Sequence, residues 1–368
     1  MRSGGGIGFD GIVSRRTLCG APRTCQIGRR DVIITTVIDE ELPYLMNLII
    51  GGAGFLGREI ACQLLERGQK VRTLTRRDGD LPKGVEDVRG DITDPASLQK
   101  ACQGIEAVYH TASIPSISLH WKPFYETNVL GAKNVLDACK ATGVRKLIYT
   151  SSASVAFDCK PQHNVDETTP YPDRWLSHYP HSKAMAEKMI LDAASDSLLT
   201  CSMRPHLIIG KRDRHLMPRM LQRARSGRLF RVGDGTNLID IIFIGNAALG
   251  HIQAAEALTG KDSPVNGNAY FLSQGVPVNC WEWIDELLVM KGLPKVKRSI
   301  PFSVAWAIGW TLEGVYKYCR LQGEPVMTRF LAAQLGVTHY LSIAKAQRDF
   351  GFVPIVSMEE GMKQLRED

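Results

Sequence analysis

A chain of 368 residues that is 44% hydrophobic and 23% charged can bury a sizeable core, which excludes global disorder. Its net charge of +7 arises from 45 basic and 38 acidic residues that are interspersed along the chain, so no nucleic-acid partner is expected. We interpret this charge as a mild attraction for anionic cofactors.

Nine scattered cysteines, odd in number and without a CxxC pair, indicate a reduced chain in the cytoplasm. No His/Cys cluster has the spacing of a metal site, and no metal is predicted. No apolar stretch approaches the roughly 20 residues of a membrane-spanning helix.

Residues 1–45 contain glycines and arginines but no apolar core of a secretory signal. We interpret them as an N-terminal extension, because Met46 directly precedes the first strand candidate. This extension is either a flexible tail or the result of a start codon assigned too early; an organelle-targeting segment is the alternative.

From Asn47 onward, short β-rich runs alternate with amphipathic helices, which is typical of a parallel sheet covered on both faces. Strands are predicted at Asn47–Ile50, Val71–Thr75, Ala107–His110, Lys146–Thr150 and near Thr200–Arg204. Helices are predicted at Leu56–Arg67, Asn128–Ala141, Cys280–Lys291 and Pro301–Tyr318.

These elements predict an α/β fold with a doubly wound parallel sheet of the Rossmann type and a smaller, mostly helical C-terminal region. Residues 46–205 are predicted to form the nucleotide-binding domain. Residues 206–368 are predicted to form a substrate-binding region with segments that return to the first domain. The helix at Pro301–Tyr318 is apolar on much of its surface, and Trp281 and Trp283 precede it. We interpret all of these as core, with a lipid pocket or a weak membrane-surface contact as the alternative for the helix.

A glycine-rich turn stands directly after the first strand and opens the first helix. It comprises Gly51, Gly54, Phe55, Leu56 and Gly57. The glycines permit a tight turn, close approach of the backbone to a pyrophosphate and close helix packing, while the helix N-terminus stabilises phosphate charge. This position predicts a dinucleotide site.

The end of the second strand carries Thr75 where an acidic residue would accept hydrogen bonds from the ribose of NAD. Arg76 and Arg77 follow at once, and their guanidinium groups suit a 2′-phosphate. The sequence therefore favours NADP(H) over NAD(H), against the alternative of a solvated basic strand end.

Tyr179 and Lys183 are four residues apart and would lie on one face of a helix, with Ser152 upstream at the end of a strand. The ammonium of Lys183 would stabilise a tyrosinate and lower the pKa of the phenol, so that Tyr179 could exchange a proton with a substrate. Ser152 would bind the reacting oxygen. A metal at His178 and His181 is disfavoured because no third ligand has suitable spacing.

Five motifs in this order resemble those of extended short-chain dehydrogenases, and the resemblance covers nearly everything after Met46. They are GGAGFLG (51–57), GDITD (90–94), HTAS (110–113), YTSS (149–152) and YPHSK (179–183). Within that superfamily, RPHLIIG (204–210) and VGDGTN (232–237) are similar to the 3β-hydroxysteroid dehydrogenase branch, which includes bacterial reductases of long-chain 2-alkyl-3-oxoalkanoates.

The resemblance implies roles for residues that the pattern alone does not assign. Asp91 and Ile92 would flank the adenine, and Thr111 and Ala112 would line the central phosphoribose strand. It also implies that Ser152, Tyr179 and Lys183 form the catalytic set and that Tyr179 and Lys183 contact the cofactor as well. Asn128 would complete the catalytic set through water, and two subunits would associate through the long helices into a homodimer.

We therefore predict an NADP(H)-dependent oxidoreductase that interconverts a secondary alcohol and a ketone on a bulky apolar substrate, either a 3β-hydroxysteroid or a long-chain β-hydroxy or β-keto acid. A nucleotide-sugar epimerase is the first alternative; the absence of the usual Asn after Arg204 argues against it. A non-catalytic, nucleotide-binding regulatory protein is the second. The intact Ser152, Tyr179 and Lys183 argue against that.

Overall fold

The computed structural model describes residues 46–213 and 216–367, so the predicted extension at 1–45 lies outside the described residues. The strands are β1 (Met46–Ile50), β2 (Lys70–Thr75), β3 (Glu86–Arg89), β4 (Ile105–His110), β5 (Lys146–Thr150), β6 (Gln162–Val165), β7 (Leu199–Pro205), β8 (Leu207–Ile209), β9 (Arg231–Val232), β10 (Leu238–Ile239), β11 (Ile241–Phe243), β12 (Asn268–Leu272), β13 (Val278–Asn279), β14 (Ser299–Ile300) and β15 (His339–Leu341).

The α-helices are α1 (Phe55–Glu66), α2 (Pro95–Ala101), α3 (Trp121–Phe124), α4 (Gly131–Thr142), α5 (His178–Leu191), α6 (Leu216–Arg225), α7 (Ile244–Ala257), α8 (Cys280–Met290), α9 (Phe302–Tyr318), α10 (Arg329–Gly336), α11 (Ala344–Phe350) and α12 (Met358–Arg366). A π-helix spans Tyr125–Leu130 and a 3-10 helix spans Ala153–Ala156.

Seven parallel strands form the central sheet in the order β12-β7-β5-β4-β1-β2-β3. The order reverses between β1 and β4, and the carboxyl ends of the strands at such a point form the usual ligand crevice of a doubly wound sheet. The predicted Rossmann-type fold is therefore confirmed.

Alternating side chains of the sheet supply two separate cores. On β1, Ile49 packs into the cluster that includes residues of α1 and α7, whereas Leu48 and Ile50 pack into the cluster that includes residues of α2, α4 and α5. Helices therefore cover both faces, and the carboxyl ends of the strands remain as the edge at which a site can form.

The C-terminal region is mostly helical, as predicted, but it also contains short strands. β13, β10 and β15 form a second sheet together with β6, which comes from the part of the chain before residue 206. β11 pairs with β8, and β14 pairs with β9. A third core is built around Trp281 and Trp283, which are both buried, so the prediction that they are core residues is confirmed. The boundary between two domains at residue 205 stays a prediction.

Two helix predictions differ from the structure. The helix predicted at Asn128–Ala141 begins earlier, because a π-helix at Tyr125–Leu130 leads directly into α4. The interpretation of Pro301–Tyr318 as a packed core helix is wrong for its outer face: Ala305 and Gly309 are its buried residues, whereas Trp310 is 64% and Tyr318 89% exposed. No helix in residues 46–213 and 216–367 is long and apolar enough to cross a membrane.

Candidate active site

The glycine turn closes tightly between β1 and α1. Gly51 has φ +92°, and a Cβ atom there would lie 2.9 Å from Thr111 Oγ1, so only glycine fits this position. A Cβ on Gly57 would lie 2.4 Å from the Gly51 carbonyl oxygen. These approaches hold the turn against the end of β4, where the amides of Thr111 and Ala112 both donate to the Ile50 carbonyl oxygen at 3.0 Å.

The first turn of α1 presents backbone amides without a competing group. Gly54 is the N-cap, no side chain within the described chain caps the helix, and no acidic residue stands in the first turn. Gly54 is exposed and Phe55 partly so, while Leu56 is buried in the first core. Unpaired amides at a helix N-terminus favour an anion, and this arrangement fits a pyrophosphate.

The end of β2 lies beside the turn and carries the two predicted arginines. Thr75 is buried and donates its hydroxyl to Asp87 Oδ1 at 2.7 Å, so this hydroxyl is already paired. Arg76 and Arg77 are exposed, and Arg76 Nη1 lies 3.8 Å from Asp91 Oδ2. Asp91 begins the turn after β3, and the neighbouring Ile92 is buried. The predicted adenine-side residues therefore lie together.

Tyr179, Lys183 and Ser152 meet where α5 crosses the end of β5. Tyr179 stands in the first turn of α5, and Lys183 follows one turn later with a buried side chain. Lys183 Nζ donates to the Thr150 carbonyl oxygen and lies 4.2 Å from the ring centroid of Tyr149. Ser152 caps the 3-10 helix, where its Oγ lies 2.8 Å from Ser154 Oγ. Its side chain is close enough to the Tyr179 phenol to oppose a rise in the pKa of that phenol.

The protein groups alone do not lower the pKa of Tyr179 as predicted. Burial raises the pKa of the Tyr179 phenol, and the hydrogen bond with Ser152 opposes this rise. Burial also lowers the pKa of Lys183 to about 7, against the opposing effect of the Glu187 carboxylate. The expected lowering of the phenol pKa by Lys183 is therefore wrong for these groups by themselves, since burial outweighs the opposing effect of Ser152.

Asn128 lies in the π-helix and ties the loop after β4 to α5. Its Oδ1 accepts from the Ile114 amide at 2.8 Å, and its Nδ2 donates to Ser182 Oγ at 2.9 Å. Ser182 in turn donates to the Tyr179 carbonyl oxygen at 2.8 Å. Asn128 therefore fixes the loop and the first turn of α5 together, while its role through water stays a prediction. A π-helix at such a position is common at functional sites.

The two histidines beside Tyr179 are held by aromatic neighbours. The His181 ring is stacked between Trp121, at a centroid distance of 5.0 Å, and Trp175, at 5.3 Å. His178 Nε2 lies 3.1 Å from the Leu119 carbonyl oxygen. This packing gives both rings a structural role at the start of α5. Within the described ranges there is no group of three His, Cys, Asp or Glu side chains that could hold a metal ion.

Glu324, a residue of the C-terminal region, binds the loop after β4. The sequence analysis did not single out this residue. Glu324 Oε1 accepts from Ser116 Oγ at 2.6 Å and from the Ile117 amide at 3.3 Å, and its Oε2 lies 2.9 Å from Arg219 Nη1. This carboxylate therefore joins three segments next to the end of β4. No local sequence pattern connects them, because Ser116 and Glu324 are 208 residues apart.

The sequence analysis also missed a buried ion pair at Glu187, one helical turn after Lys183. Arg204 Nη2 lies 2.7 Å from Glu187 Oε1, and Ser202 and Tyr171 donate to the same carboxylate at 2.6 and 2.7 Å. The spacing of Glu187, four residues after Lys183, was the available signal, since it places both side chains on one helical face.

Comparisons with known proteins show the family to which the chain is similar. Residues 48–303 match the model of the 3-beta hydroxysteroid dehydrogenase/isomerase family. A 2-alkyl-3-oxoalkanoate reductase from Shewanella oneidensis is 42% identical over 327 residues, which covers 86% of this chain and 84% of the relative. A sterol-4-alpha-carboxylate 3-dehydrogenase, decarboxylating, from Mus musculus is 35% identical over 322 residues, which covers 86% of this chain and 88% of the relative.

Among solved structures, the UDP-glucose 4-epimerase of Thermus thermophilus in complex with NAD superposes with a TM-score of 0.68 at 24% identity. The match covers 88% of this chain and 98% of the epimerase. At this identity the likeness supports the fold alone.

Proposed function

Because the chain belongs to the 3-beta hydroxysteroid dehydrogenase/isomerase family, we propose that it is a nicotinamide-dependent oxidoreductase that interconverts a ketone and a secondary alcohol on a bulky apolar substrate. The observation that carries this proposal is the meeting of Ser152, Tyr179 and Lys183 at the carboxyl edge of the sheet. The glycine turn opens at the same edge, as in doubly wound folds that bind dinucleotides.

The substrate class that we propose is an acid with an oxygen function on its β-carbon and large apolar substituents. Both relatives act on such a compound by their names: a 2-alkyl-3-oxoalkanoate is a β-keto acid, and a sterol 4-carboxylate with its oxygen at carbon 3 has the same relation of groups. We place the long-chain β-keto or β-hydroxy acid first, since the reductase is the more similar of the two, and the 3β-hydroxysteroid second.

A dinucleotide fits the residues that surround the turn. The uncapped amides of α1 would hold the pyrophosphate, and Lys183 would hold the ribose next to the nicotinamide. Asp91 and Ile92 would line the adenine side, with Thr111 and Ala112 beside the central phosphoribose. When bound, such a cofactor supplies or accepts the hydride.

The chain's own groups would manage the proton and the polarity of the reacting oxygen. In reduction, Tyr179 would donate its phenolic proton to the substrate oxygen, and Ser152 would donate a hydrogen bond to the same oxygen. Lys183 would offset the negative charge that develops on the phenolic oxygen once the proton leaves. In oxidation these roles reverse, and Tyr179 would accept the proton.

We propose NADP(H) as the preferred cofactor. Arg76 is 66% exposed in its side chain, and its ion pair with Asp91 is long, so its guanidinium group can turn to a 2′-phosphate. Arg77 is exposed beside it. The Thr75 hydroxyl, which already donates to Asp87, offers the ribose no carboxylate acceptor of the kind that favours NAD.

We also propose two contacts outside the active site. The exposed apolar face of α9 would touch a membrane surface weakly, since the exposed charges of Lys317 at its end and of Arg320 just after it are both basic. A homodimer would form over the exposed Leu130 and Met185, which lie at the end of the π-helix and on α5. We retain a cytoplasmic location, because the seven cysteines in the described ranges are all free thiols.

The test is turnover by the purified full chain with NADPH or NADH and three candidate substrates: a long-chain 2-alkyl-3-oxoalkanoate, a 4-carboxysterol and a nucleotide sugar. We expect NADPH-dependent reduction of the first compound and a loss of kcat by about 10²–10⁴-fold in Tyr179→Phe, which removes the proton donor. Tyr318→Phe, at an 89% exposed position, is the control. Turnover of the nucleotide sugar alone would instead support an epimerase, and nucleotide binding without any turnover would support a regulatory protein.

A further inference from the structure

His251 lies on α7, on the face of the sheet opposite α5, and its side chain is fully buried. Its Nδ1 lies 2.7 Å from the Ala247 carbonyl oxygen. Because a carbonyl oxygen only accepts, Nδ1 carries the proton in this contact and Nε2 is left as an acceptor. Burial lowers the pKa of His251 to about 4, against the opposing hydrogen bond to Ala247, so the ring is neutral near neutral pH.

The acceptor nitrogen of His251 holds the side chain of Thr150. The distance from His251 Nε2 to Thr150 Oγ1 is 2.9 Å, and both side chains are buried. The Thr150 hydroxyl therefore donates to the ring. Since a threonine side chain has few rotamers, this bond also fixes the orientation of the residue at the end of β5.

The same Thr150 holds Lys183 through its backbone. Its carbonyl oxygen accepts a hydrogen bond from Lys183 Nζ on the other face of the sheet. Thr150 is therefore bonded to α7 through its side chain and to α5 through its carbonyl group. The Glu187 carboxylate, one turn further along α5, is already bound to Arg204. The place of the Lys183 ammonium therefore depends on where the Thr150 carbonyl group points.

We propose that His251 is a positioning residue for the reaction: it orients Thr150, and the Thr150 carbonyl group fixes the position of the Lys183 ammonium. This inference rests on the proposed function, since it gives His251 a part in the chemistry of Tyr179 and Lys183. His251 acts from the opposite face of the sheet, through its hydrogen bond with Thr150.

Several titratable groups face Lys183 from the elements packed around it, and they constrain how its titration is read. They are Glu187 on α5, Tyr149 on β5, His110 on β4 and His251 on α7. Tyr179 stands one helical turn before Lys183 on α5. Burial lowers the pKa of His110 to about 3, with the charge of Lys183 acting in the same direction. Both histidines are therefore neutral where Lys183 titrates, whereas Glu187 stays a charged carboxylate that is ion-paired with Arg204.

The experiment measures the titration of Lys183 directly, by NMR of isotopically labelled lysine with Lys183→Met to assign the signal. In His251→Leu the Thr150 hydroxyl loses its acceptor, and a carbonyl group that is held less well stabilises the ammonium less. We expect the Lys183 pKa to fall by about half a unit or more and kcat to fall about tenfold. Thr150→Val should give the same shift, and the double variant should add little. His251→Gln, which retains an acceptor, should restore part of both.

Ile252→Ala is the matched control, because Ile252 is the next residue of α7, is equally buried and belongs to the first core. This variant should lower the melting temperature of the protein but leave the pKa of Lys183 unchanged. If His251→Leu behaves like this control, with an unchanged titration, the inference is overturned. If the titration shifts as expected but the wild-type chain turns over no substrate, the placement of Lys183 stands and the proposed function fails.

Discussion

Arg204 on β7 and Glu187 on α5 form an ion pair whose side chains are 6% and 0% exposed, which joins the helix that carries Tyr179 and Lys183 to the central sheet. The carboxylate accepts from Arg204 through both Nε and Nη2, and from Ser202 and Tyr171. The charge of Arg204, together with these hydrogen bonds, lowers the pKa of Glu187 although burial alone would raise it.

Removing one partner of this pair should therefore be costly. We expect Arg204→Met to lower the free energy of unfolding by about 3–5 kcal/mol, because the Glu187 carboxylate would stay buried without a counter-charge. The double variant with Glu187→Leu should recover much of the loss. Urea unfolding followed by circular dichroism measures both.

The exposed pair of Lys133 and Asp137 on α4 is the control for the ion pair. Lys133→Ala should change the free energy of unfolding by less than about 1 kcal/mol, because solvent screens both charges. Equal losses in Arg204→Met and Lys133→Ala would contradict the role that we give to the buried pair.

The parts of the fold that the sequence predicted are those with a local signal. The strands β1, β2, β4, β5 and β7 are short runs rich in β-forming residues, and all five lie within about two residues of their predicted bounds. The edge strands β3 and β12 were not predicted. β3 is the polar run Glu86–Arg89, which has no apolar pattern, and β12 pairs with β7 only after a long intervening segment.

The candidate site divides in the same way. Its motifs were visible because the glycine turn and the Tyr179–Lys183 spacing are each encoded within a few residues. The contacts that hold these groups come from distant segments: His251 meets Thr150 across 101 residues, and Glu324 meets Ser116 across 208. No periodicity links such pairs, so only the fold could bring them together.

The exposed face of α9 shows a limit of another kind. Helical periodicity predicted that the segment is a helix, but it could not tell which apolar residues find a partner. Trp310 and Tyr318 are exposed, whereas Trp281 and Trp283, which were also predicted to be core residues, are buried. Composition is alike in the two helices, and packing alone separates them.

The preference for NADP(H) can be tested on Arg76. We expect Arg76→Ala to raise the Kd of NADPH about tenfold or more, because a charged hydrogen bond to the 2′-phosphate is lost, and to leave the Kd of NADH nearly unchanged. Calorimetry at low and at high salt measures both, and the difference between the nucleotides should shrink as salt screens the phosphate. Lys83→Ala, an exposed residue in the loop that follows, is the control. If Arg76→Ala weakened the binding of NADPH and NADH equally, Arg76 would contact the adenosine that both nucleotides share and not the 2′-phosphate.

The low pKa of Lys183 predicts how stability depends on pH. Burial lowers this pKa to about 7, whereas an unfolded chain keeps its lysines protonated up to about pH 10.4. Between these values the unfolded state binds more protons than the folded state, so the free energy of unfolding that Lys183 contributes rises with pH. The destabilisation by a buried ammonium is fully present below about pH 7 and is relieved above it.

Lys183→Met removes this titration. We expect the free energy of unfolding of the variant to exceed that of the wild type most below about pH 7. The difference should narrow as the pH rises toward 10. Urea unfolding across this range measures it, with Lys140→Met on the exposed side of α4 as control. A difference that is constant with pH would show that Lys183 keeps an ordinary pKa in the folded protein.

The outer face of α9 offers a test of contact with a membrane surface. Trp310 and Tyr318 are its most exposed large side chains, and the exposed charges near them are Lys317 and Arg320, while Glu313 is bound to Arg329 at 2.6 Å. An apolar face with basic neighbours favours an anionic lipid surface.

We expect the full chain to float with vesicles of phosphatidylglycerol and phosphatidylcholine more than with vesicles of phosphatidylcholine alone. Trp310→Ser should weaken this binding about tenfold, because it removes much of the apolar area available for insertion. Ile355→Ser, at an exposed apolar position outside α9, should leave the binding in place. If Trp310→Ser instead converts a dimer into a monomer in sedimentation while vesicle binding is absent throughout, then a second copy of the chain, and not a membrane, covers this face.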